Sequence, residues 1–308
     1  MLELIGGTDL RIGADATAPE ETLHQALFTA LAAHDDATAA KAATDLIHVV
    51  GFPLHRPREA EMWFRLSESI LDRLGPGHER TRAWAANNFA LILAVTGRLE
   101  RAEQLAREAV ALKQRALGPD HPDTAISLYM LAEILLEREN PTESLAVASS
   151  GLAILEKHGD PDSERFGGIV YAKGCALVDL GRGAEAEPCF STALGIYQRQ
   201  LHPFQNSIAF PLQGLGEARV IQGAPGEAIS FLERALRIQE APESREPIPF
   251  NVAETQYWLA RALWESGRDR ARAVKLATEA KRLLANHESP RRERAVIAWL
   301  AEHKLRGH

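Results

Sequence analysis

The chain of 308 residues contains little cysteine and few aromatic side chains. Its two cysteines, Cys175 and Cys189, are too few to build a disulfide framework, and we expect both to be reduced, partly buried thiols. Aromatic residues make up 6% of the chain, whereas hydrophobic residues of all kinds make up 45%. This balance predicts a core built mainly from alanine-rich helices and aliphatic side chains.

The sequence also lacks segments that direct a protein to or through a membrane. Residues 1–14 contain neither the basic start nor the long apolar stretch of a signal peptide. No uninterrupted apolar run approaches the length needed to span a bilayer. These absences predict a cytoplasmic protein that has no membrane partner.

Signatures of catalysis are missing as well. The sequence has no HExxH, CxxC, GxSxG or GxxxxGK[ST] motif, and the kinase motifs HRD and DFG are absent. Three histidines, His78, His121 and His202, lie too far apart in sequence to suggest a shared metal ion, and we interpret them as polar turn residues. We therefore expect a protein that is not an enzyme and that uses no cofactor or metal.

The net charge of −7 is unevenly distributed. Residues 268–308 hold eleven Lys/Arg against five Asp/Glu, a balance of +6 that leaves −13 for the rest of the chain. A basic tail can contact nucleic acid or an acidic partner. Here Trp299 is the single aromatic residue of the stretch. Because aromatic residues are not interleaved with the basic ones and the body is acidic, we predict a solvated capping helix and no nucleic-acid partner.

A repeat with a period of 42 residues is the strongest positive signal. Gly97 separates two helical patterns, and the equivalent positions are Glu139, Gly181 and Gly223, each 42 residues after the one before. Small residues recur seven residues before, five after and twelve after each of these turns, where closely packed helices leave no room for larger side chains. They are Ala90, Ala132, Gly174 and Gly216; Ala102, Ser144, Ala186 and Ala228; and Ala109, Gly151, Ala193 and Ala235. Such a period predicts a solenoid of stacked helical hairpins.

These residues resemble the tetratricopeptide repeat. The spacing, the segment ANNFALILAVTGRLERAE and the linker LGPDHPDTA are similar to the kinesin-light-chain variety of that family. Two features depart from the usual pattern: Lys173 replaces a large apolar residue at the seventh position, and the aromatic residue common at the fourth position is missing. The C-terminal text also resembles the repeat regions that follow the kinase domain in bacterial eukaryotic-like serine/threonine kinases.

The resemblance implies an all-α, right-handed superhelical solenoid of tetratricopeptide hairpins, with about fourteen helices. We expect a mobile N-terminal tail at residues 1–19, a solenoid of about six hairpins at residues 20–288, and a capping helix with a short tail at residues 289–308. Trp299 and Leu300 should cover the last hairpin. Pro211 should kink its helix or delay the start of that helix.

The resemblance also implies a peptide-binding groove lined by positions 2, 5, 9, 12 and 13 of each first helix. Tyr and Trp offer large contact areas, and side-chain amides can hydrogen-bond to an extended backbone. Carboxylates at neighbouring positions, which include Glu137 and Glu265, favour a ligand that carries Lys or Arg. The alternative is that these side chains only pack against one another. The predicted peptide-binding residues are Trp84, Asn87, Tyr129, Glu133, Tyr171, Asp179, Gln213, Glu217, Tyr257 and Trp264.

Three functions are compatible with this pattern. The first, which we favour, is a non-catalytic scaffold for a protein or peptide segment, acting alone or as the regulatory region of a signalling protein. The second is a cytoplasmic peptide sensor whose superhelix changes curvature when a ligand binds. The third is an enzyme accessory with an unrecognised site, for which the sequence offers no residues.

Overall fold

The computed structural model describes residues 17–51, 54–159, 161–200, 206–241, 249–285 and 290–304. Within these ranges the protein is entirely helical, with fourteen helices and no strand, so the predicted fold class is confirmed. The helices are α1 (Thr17–Ala32), α2 (Asp36–Gly51), α3 (Pro57–Leu74), α4 (Glu79–Val95), α5 (Leu99–Leu117), α6 (Pro122–Glu137), α7 (Pro141–His158), α8 (Glu164–Asp179), α9 (Gly183–Gln200), α10 (Asn206–Ile221), α11 (Pro225–Gln239), α12 (Pro249–Glu265), α13 (Arg270–Leu284) and α14 (Pro290–Lys304).

The helices follow one another as six pairs, α2/α3 to α12/α13, between an N-terminal helix α1 and a C-terminal helix α14. Helix α1 begins at Thr17, inside the range 1–19 that was predicted as a tail. Residues 1–16 and 305–308 lie outside the described ranges, so the predicted tail stays a prediction. The structure divides into two compact units. The first contains α1–α6 and Ala153–His158, and the second contains Glu139–Leu152 and α8–α14.

Helix pairing within each unit follows the chain. In the first unit α2 packs on α3 and α4 on α5, while the first helices of successive pairs also touch, as α2·α4 and α4·α6. The second unit repeats this arrangement with the pairs α8/α9, α10/α11 and α12/α13 and the contacts α8·α10 and α10·α12. The first helices of each unit therefore form one layer and the second helices another.

The turn inside each pair contains a residue in the left-handed backbone conformation. Its φ is +72° at Gly97, +73° at Gly181, +77° at Gly223 and +70° at Gly267, and Glu139 adopts the same conformation at +58° although it has a side chain. The first pair follows the rule too, because His55, with φ of +50°, lies 42 residues before Gly97. The sequence period therefore predicted the turn at Glu139 even though glycine is absent there, whereas the turn at His55 was not predicted.

The small residues predicted at the helix crossings are all buried. A Cβ atom added to Gly216 would lie 2.4 Å from Leu232 Cγ, and one added to Gly174 would lie 2.7 Å from Phe190 Cε1. These distances are shorter than any normal carbon contact. Helices α10 and α11, and likewise α8 and α9, therefore approach closely only because no side chain separates them at these glycines. The predicted packing role of this set is confirmed.

Proline and glycine mark the helix ends largely as expected. Gly118 ends α5 with φ of +95°, Pro122 opens α6, and the Nδ1 atom of His121 accepts a hydrogen bond from the Asp123 amide. His121 is thus a turn residue, as predicted. Pro211 does not delay its helix, because α10 already begins at Asn206.

Helix α14 packs its apolar side on the last pair. Val296, Trp299 and Leu300 are buried in the same hydrophobic cluster as α12 and α13 residues such as Leu263 and Leu284. The predicted burial of Trp299 and Leu300 is therefore confirmed. None of the helices in the described ranges has the length and hydropathy needed to cross a membrane.

Candidate ligand-binding face

The layer of first helices carries the residues predicted to bind a ligand. We call the side chains at positions 2, 5, 9, 12 and 13 of these helices the inner face, and we describe it separately in each unit. The side chains at position 5 are mostly buried. Asn87, Tyr129, Tyr171 and Gln213 are at most 5% exposed, whereas Tyr257 is half-buried. Most of this row therefore presents little surface to a ligand.

Two of these buried side chains link successive first helices. In the first unit Asn87 Nδ2 on α4 donates to Ser127 Oγ on α6 at 2.8 Å. In the second unit Gln213 Oε1 on α10 accepts from Thr255 Oγ1 on α12 at 2.7 Å. Each bond joins position 5 of one repeat to position 3 of the next. The pairing satisfies polar groups that would otherwise be buried without partners.

The tyrosines of position 5 are also engaged in packing. Tyr171 lies with its ring centroid 5.5 Å from Phe190 and 6.3 Å from Phe210, which belongs to the next first helix. Tyr257 lies 6.0 Å from Trp258, and burial raises the pKa of its hydroxyl, an effect that Arg261 opposes. Among the position-5 tyrosines only Tyr257 retains a partly exposed side chain, so ligand contact at the others stays a prediction.

The two predicted tryptophans have intramolecular partners. The Nζ atom of the buried Lys113 lies 3.5 Å from the centre of the Trp84 ring, a distance at which cation and ring attract strongly. Trp264 is flanked by Trp299 at 5.7 Å and His303 at 4.9 Å, both edge-on. Helix α14 thus covers one side of Trp264, although both tryptophans remain partly exposed.

Carboxylates contribute several of the accessible side chains of the inner face. In the first unit Glu133 and Glu137 are half-buried on α6. In the second unit Asp179 on α8 and Glu217 on α10 are half-buried, whereas Glu265 at the end of α12 is exposed. The acidic character predicted for this face is therefore found on its accessible positions, and not on the buried row at position 5.

Glu217 is the most strongly perturbed of these acids. Gln213 Nε2 donates to its Oε1 atom at 2.7 Å, which extends the bond from Thr255 into a three-residue chain. Burial raises the pKa of Glu217 to about 8, and the neighbouring Glu254 adds to the increase, although Gln213 and Arg292 oppose it. Glu217 therefore carries a proton at neutral pH because a charged carboxylate would be poorly solvated there.

Two members of this cluster were missed by the sequence reasoning. Glu254 on α12 and Arg292 on α14 form an ion pair, with Oε1 and Nε 2.7 Å apart and side chains 14% and 27% exposed. Glu254 occupies position 2 of the last repeat, which a systematic reading of all five positions could have identified. Arg292 could not be found in this way, because α14 lies outside the repeat.

The resulting cluster in the second unit contains Asp179, Glu217, Glu254 and Arg292. With Glu217 protonated, two carboxylates face one guanidinium, so the net charge of the cluster is about −1 at neutral pH. A cation that approached Glu217 would favour loss of its proton, since an opposite charge nearby stabilises the ionised form. The cluster is thus suited to hold one additional basic group.

The cysteines lie where the sequence placed them, on the two helices of one pair. Cys175 on α8 and Cys189 on α9 are half-buried and are not joined in a disulfide. Cys189 Sγ donates to the Glu185 carbonyl oxygen at 3.7 Å, and burial raises the pKa of its thiol. Cys189 therefore lacks the lowered pKa that marks a reactive thiolate.

Comparison with protein families identifies the repeats. Residues 81–157 and 171–241 match the model of the tetratricopeptide repeat family. These two stretches therefore carry tetratricopeptide repeats, a scaffold that generally serves protein–protein interaction. A search of curated proteins finds no significant match to the sequence.

Comparison with solved structures gives the same fold. A putative kinesin light chain from Podosopora anserina is 21% identical, with a TM-score of 0.54, over 68% of this chain and 98% of that chain. BtubC (BKLC) from P. vanneervenii is 17% identical, with a TM-score of 0.53, over 85% of this chain and 91% of that one. A Rap protein complexed with competence and sporulation factor is 13% identical, with a TM-score of 0.62, over 94% of this chain and 87% of that one. At these identities the similarity shows the fold alone.

Proposed function

We propose that this chain, which carries tetratricopeptide repeats, is a non-catalytic scaffold that binds an extended protein segment on the inner face of its second unit. A basic side chain of the ligand would contact the cluster formed by Asp179, Glu217 and Glu254. Tyr257, which is partly exposed on the same row of helices, would contact an apolar part of the segment. The same scaffold could belong to the regulatory region of a larger signalling protein.

The observation that carries this proposal is the ion pair between Glu254 and Arg292. It provides an example within the protein of a guanidinium held at 2.7 Å by a carboxylate of the inner face. Carboxylates at Asp179 and Glu217 lie on the two preceding first helices, so a segment running along this layer would meet acidic groups on three successive repeats. Complementary charge of this kind governs partner choice and association rate more than total affinity.

A direct test uses labelled peptides of defined charge. Two fluorescein-labelled ten-residue peptides would share apolar residues and differ only in Lys/Arg against Asp/Glu, and binding would be followed by fluorescence polarisation. We expect the basic peptide to bind more tightly, and the Asp179→Asn/Glu254→Gln double variant to bind it about 2- to 30-fold more weakly. That range follows from about 0.2–1 kcal/mol for each of the two charge pairs that the double variant removes.

The control is Glu156→Gln, which removes an exposed carboxylate from the second helix α7. It should leave the affinity for the basic peptide unchanged. Equal binding of both peptides, or equal loss in the control and the double variant, would show that the acidic inner face does not select the ligand.

A peptide sensor is the second candidate. Its support is the similarity over 94% of this chain to a Rap protein that was solved in complex with competence and sporulation factor. A sensor should change shape on binding, so small-angle X-ray scattering with and without the basic peptide should give different radii of gyration. An unchanged radius at saturating peptide would favour the scaffold over the sensor.

A further inference from the structure

Three potential metal ligands converge near the N-terminal end of the first unit. Glu20 and His24 lie four residues apart and therefore on the same face of α1, and Glu59 faces them from the first turn of α3. One ligand atom from each residue lies within 4.8 Å of the ligand atoms of the other two. The three side chains are half-buried, and the Glu20 side chain is only 13% exposed.

A second observation concerns polar atoms that lack partners at this place. The Nε2 atom of His24 and the Nε1 atom of Trp63 are both buried, and neither has a hydrogen-bond partner. The two rings are neighbours, with centroids 5.1 Å apart. Buried polar atoms are nearly always satisfied by protein, water or an ion. The N–H group of Trp63 can only donate, so it calls for an acceptor and not for a metal ion. The unpartnered imidazole nitrogen of His24, a residue that lies beside two carboxylates, is the one that indicates a cation.

Arg56 shows that the carboxylates already surround a positive charge. Its Nη2 atom lies 2.5 Å from Glu20 Oε2, and its Nη1 atom lies 3.0 Å from Glu59 Oε2. Each carboxylate uses Oε2 for Arg56, which leaves the Oε1 atoms of both for another cation. The positive charge of Arg56 would compete with a metal ion and limit its affinity.

We propose that Glu20, His24 and Glu59 bind a divalent transition metal ion that ties α1 to α3. One imidazole nitrogen and two carboxylate oxygens are a suitable set for Zn²⁺, which accepts three protein ligands and leaves a position for water. Among the first-row ions Zn²⁺ also binds such sites more tightly than Mn²⁺ or Fe²⁺. Ligands about 2.0–2.1 Å from the ion are about 3.3 Å apart. The ligand atoms of the three side chains lie within 4.8 Å of one another, so they need to close by at most about 1.5 Å.

The experiment is a calorimetric titration of the EDTA-stripped full chain with ZnCl₂, together with thermal melting in the presence of Zn²⁺ or EDTA. We expect one Zn²⁺ per chain and a higher melting temperature with Zn²⁺, because a ligand that binds only the folded state stabilises it. His24→Phe keeps an aromatic ring against Trp63 but removes the nitrogen ligand. It should lower the affinity for Zn²⁺ by more than about 10-fold.

Two further variants separate this site from incidental binding. His34→Asn removes an exposed histidine outside the cluster, in a left-handed backbone position that asparagine tolerates, and should leave Zn²⁺ binding unchanged. Arg56→Gln removes the competing cation and should raise the affinity. Absence of binding in both the wild type and Arg56→Gln, or equal loss in His24→Phe and His34→Asn, would overturn the proposal; circular dichroism would confirm that each variant is folded.

Discussion

The pH dependence of stability should reveal the protonated side chain at Glu217. The pKa of this carboxyl is about 8 in the folded protein against an ordinary value of 4.5. Between these values the folded state retains a proton that the unfolded chain releases. Stability from this group is therefore complete below about pH 4.5 and is lost as the pH rises to about 8.

The size of the effect follows from the same two values. A difference of about 3.5 pH units at about 1.4 kcal/mol per unit gives an upper limit of about 5 kcal/mol. Glu217 retains some contact with solvent, so we expect about 2–5 kcal/mol. The substitution Glu217→Gln keeps an acceptor for Gln213 Nε2 but carries no titratable proton, and should remove this dependence.

The assay is urea unfolding followed by circular dichroism at several pH values between 4.5 and 9. Glu217→Gln and the wild type should have similar free energies of unfolding near pH 4.5. At pH 9 the variant should be more stable by about 2–5 kcal/mol, with the difference growing by at most about 1.4 kcal/mol per pH unit. Glu156→Gln, on the exposed surface, serves as the control. Parallel profiles for Glu217→Gln and the wild type would mean that Glu217 is ionised at neutral pH, and that burial does not dominate its environment.

Two further predictions concern packing. Gly216→Ala should lower the free energy of unfolding by about 1–3 kcal/mol, because the added methyl group would overlap Leu232. In the control Gly195→Ala, the nearest neighbour of the added methyl group is the flexible Arg199 side chain at 3.5 Å. That variant should raise the free energy of unfolding by about 0.5–1 kcal/mol. Equal effects at both positions in chemical unfolding would contradict the close approach of α10 and α11. Trp299→Ala should cost about 3–5 kcal/mol, since this buried ring packs against Trp264 and His303; a melting curve that matches the wild type would show that α14 does not cap the last pair.

The period of the sequence predicted those parts of the fold that repeat. The turn at Glu139 and the buried small residues follow from counting, because each repeat places equivalent residues in equivalent contacts. The same counting would have located the turn at His55, but its histidine and the longer connection obscured it. The 42-residue period determines which helices pair with each other, and the helix pairs of the described residues agree with it.

The candidate site was predicted only in part, for a physical reason. Helical spacing identifies the face on which a residue lies, but it does not show how closely the neighbouring helix covers that face. Asn87 and Gln213 were therefore assigned correctly to the first-helix row, and their burial against Ser127 and Thr255 was not foreseen. Arg292 and the cluster of Glu20, His24 and Glu59 depend on contacts between elements outside the repeat pattern, which periodicity does not describe.

The two hydrogen bonds between successive first helices have a consequence for how the chain assembles. Repeats that resemble one another could dock in the wrong order, since their apolar surfaces are nearly interchangeable. The side-chain amide of Asn87 bonds to the hydroxyl of Ser127, and that of Gln213 bonds to the hydroxyl of Thr255. In another repeat the residue at position 3 is Pro211, which has neither a hydroxyl group nor an amide hydrogen. A misplaced neighbour would leave a buried amide unsatisfied at about 1–3 kcal/mol. These bonds therefore favour docking of the correct neighbouring repeat over other repeats of similar sequence during folding.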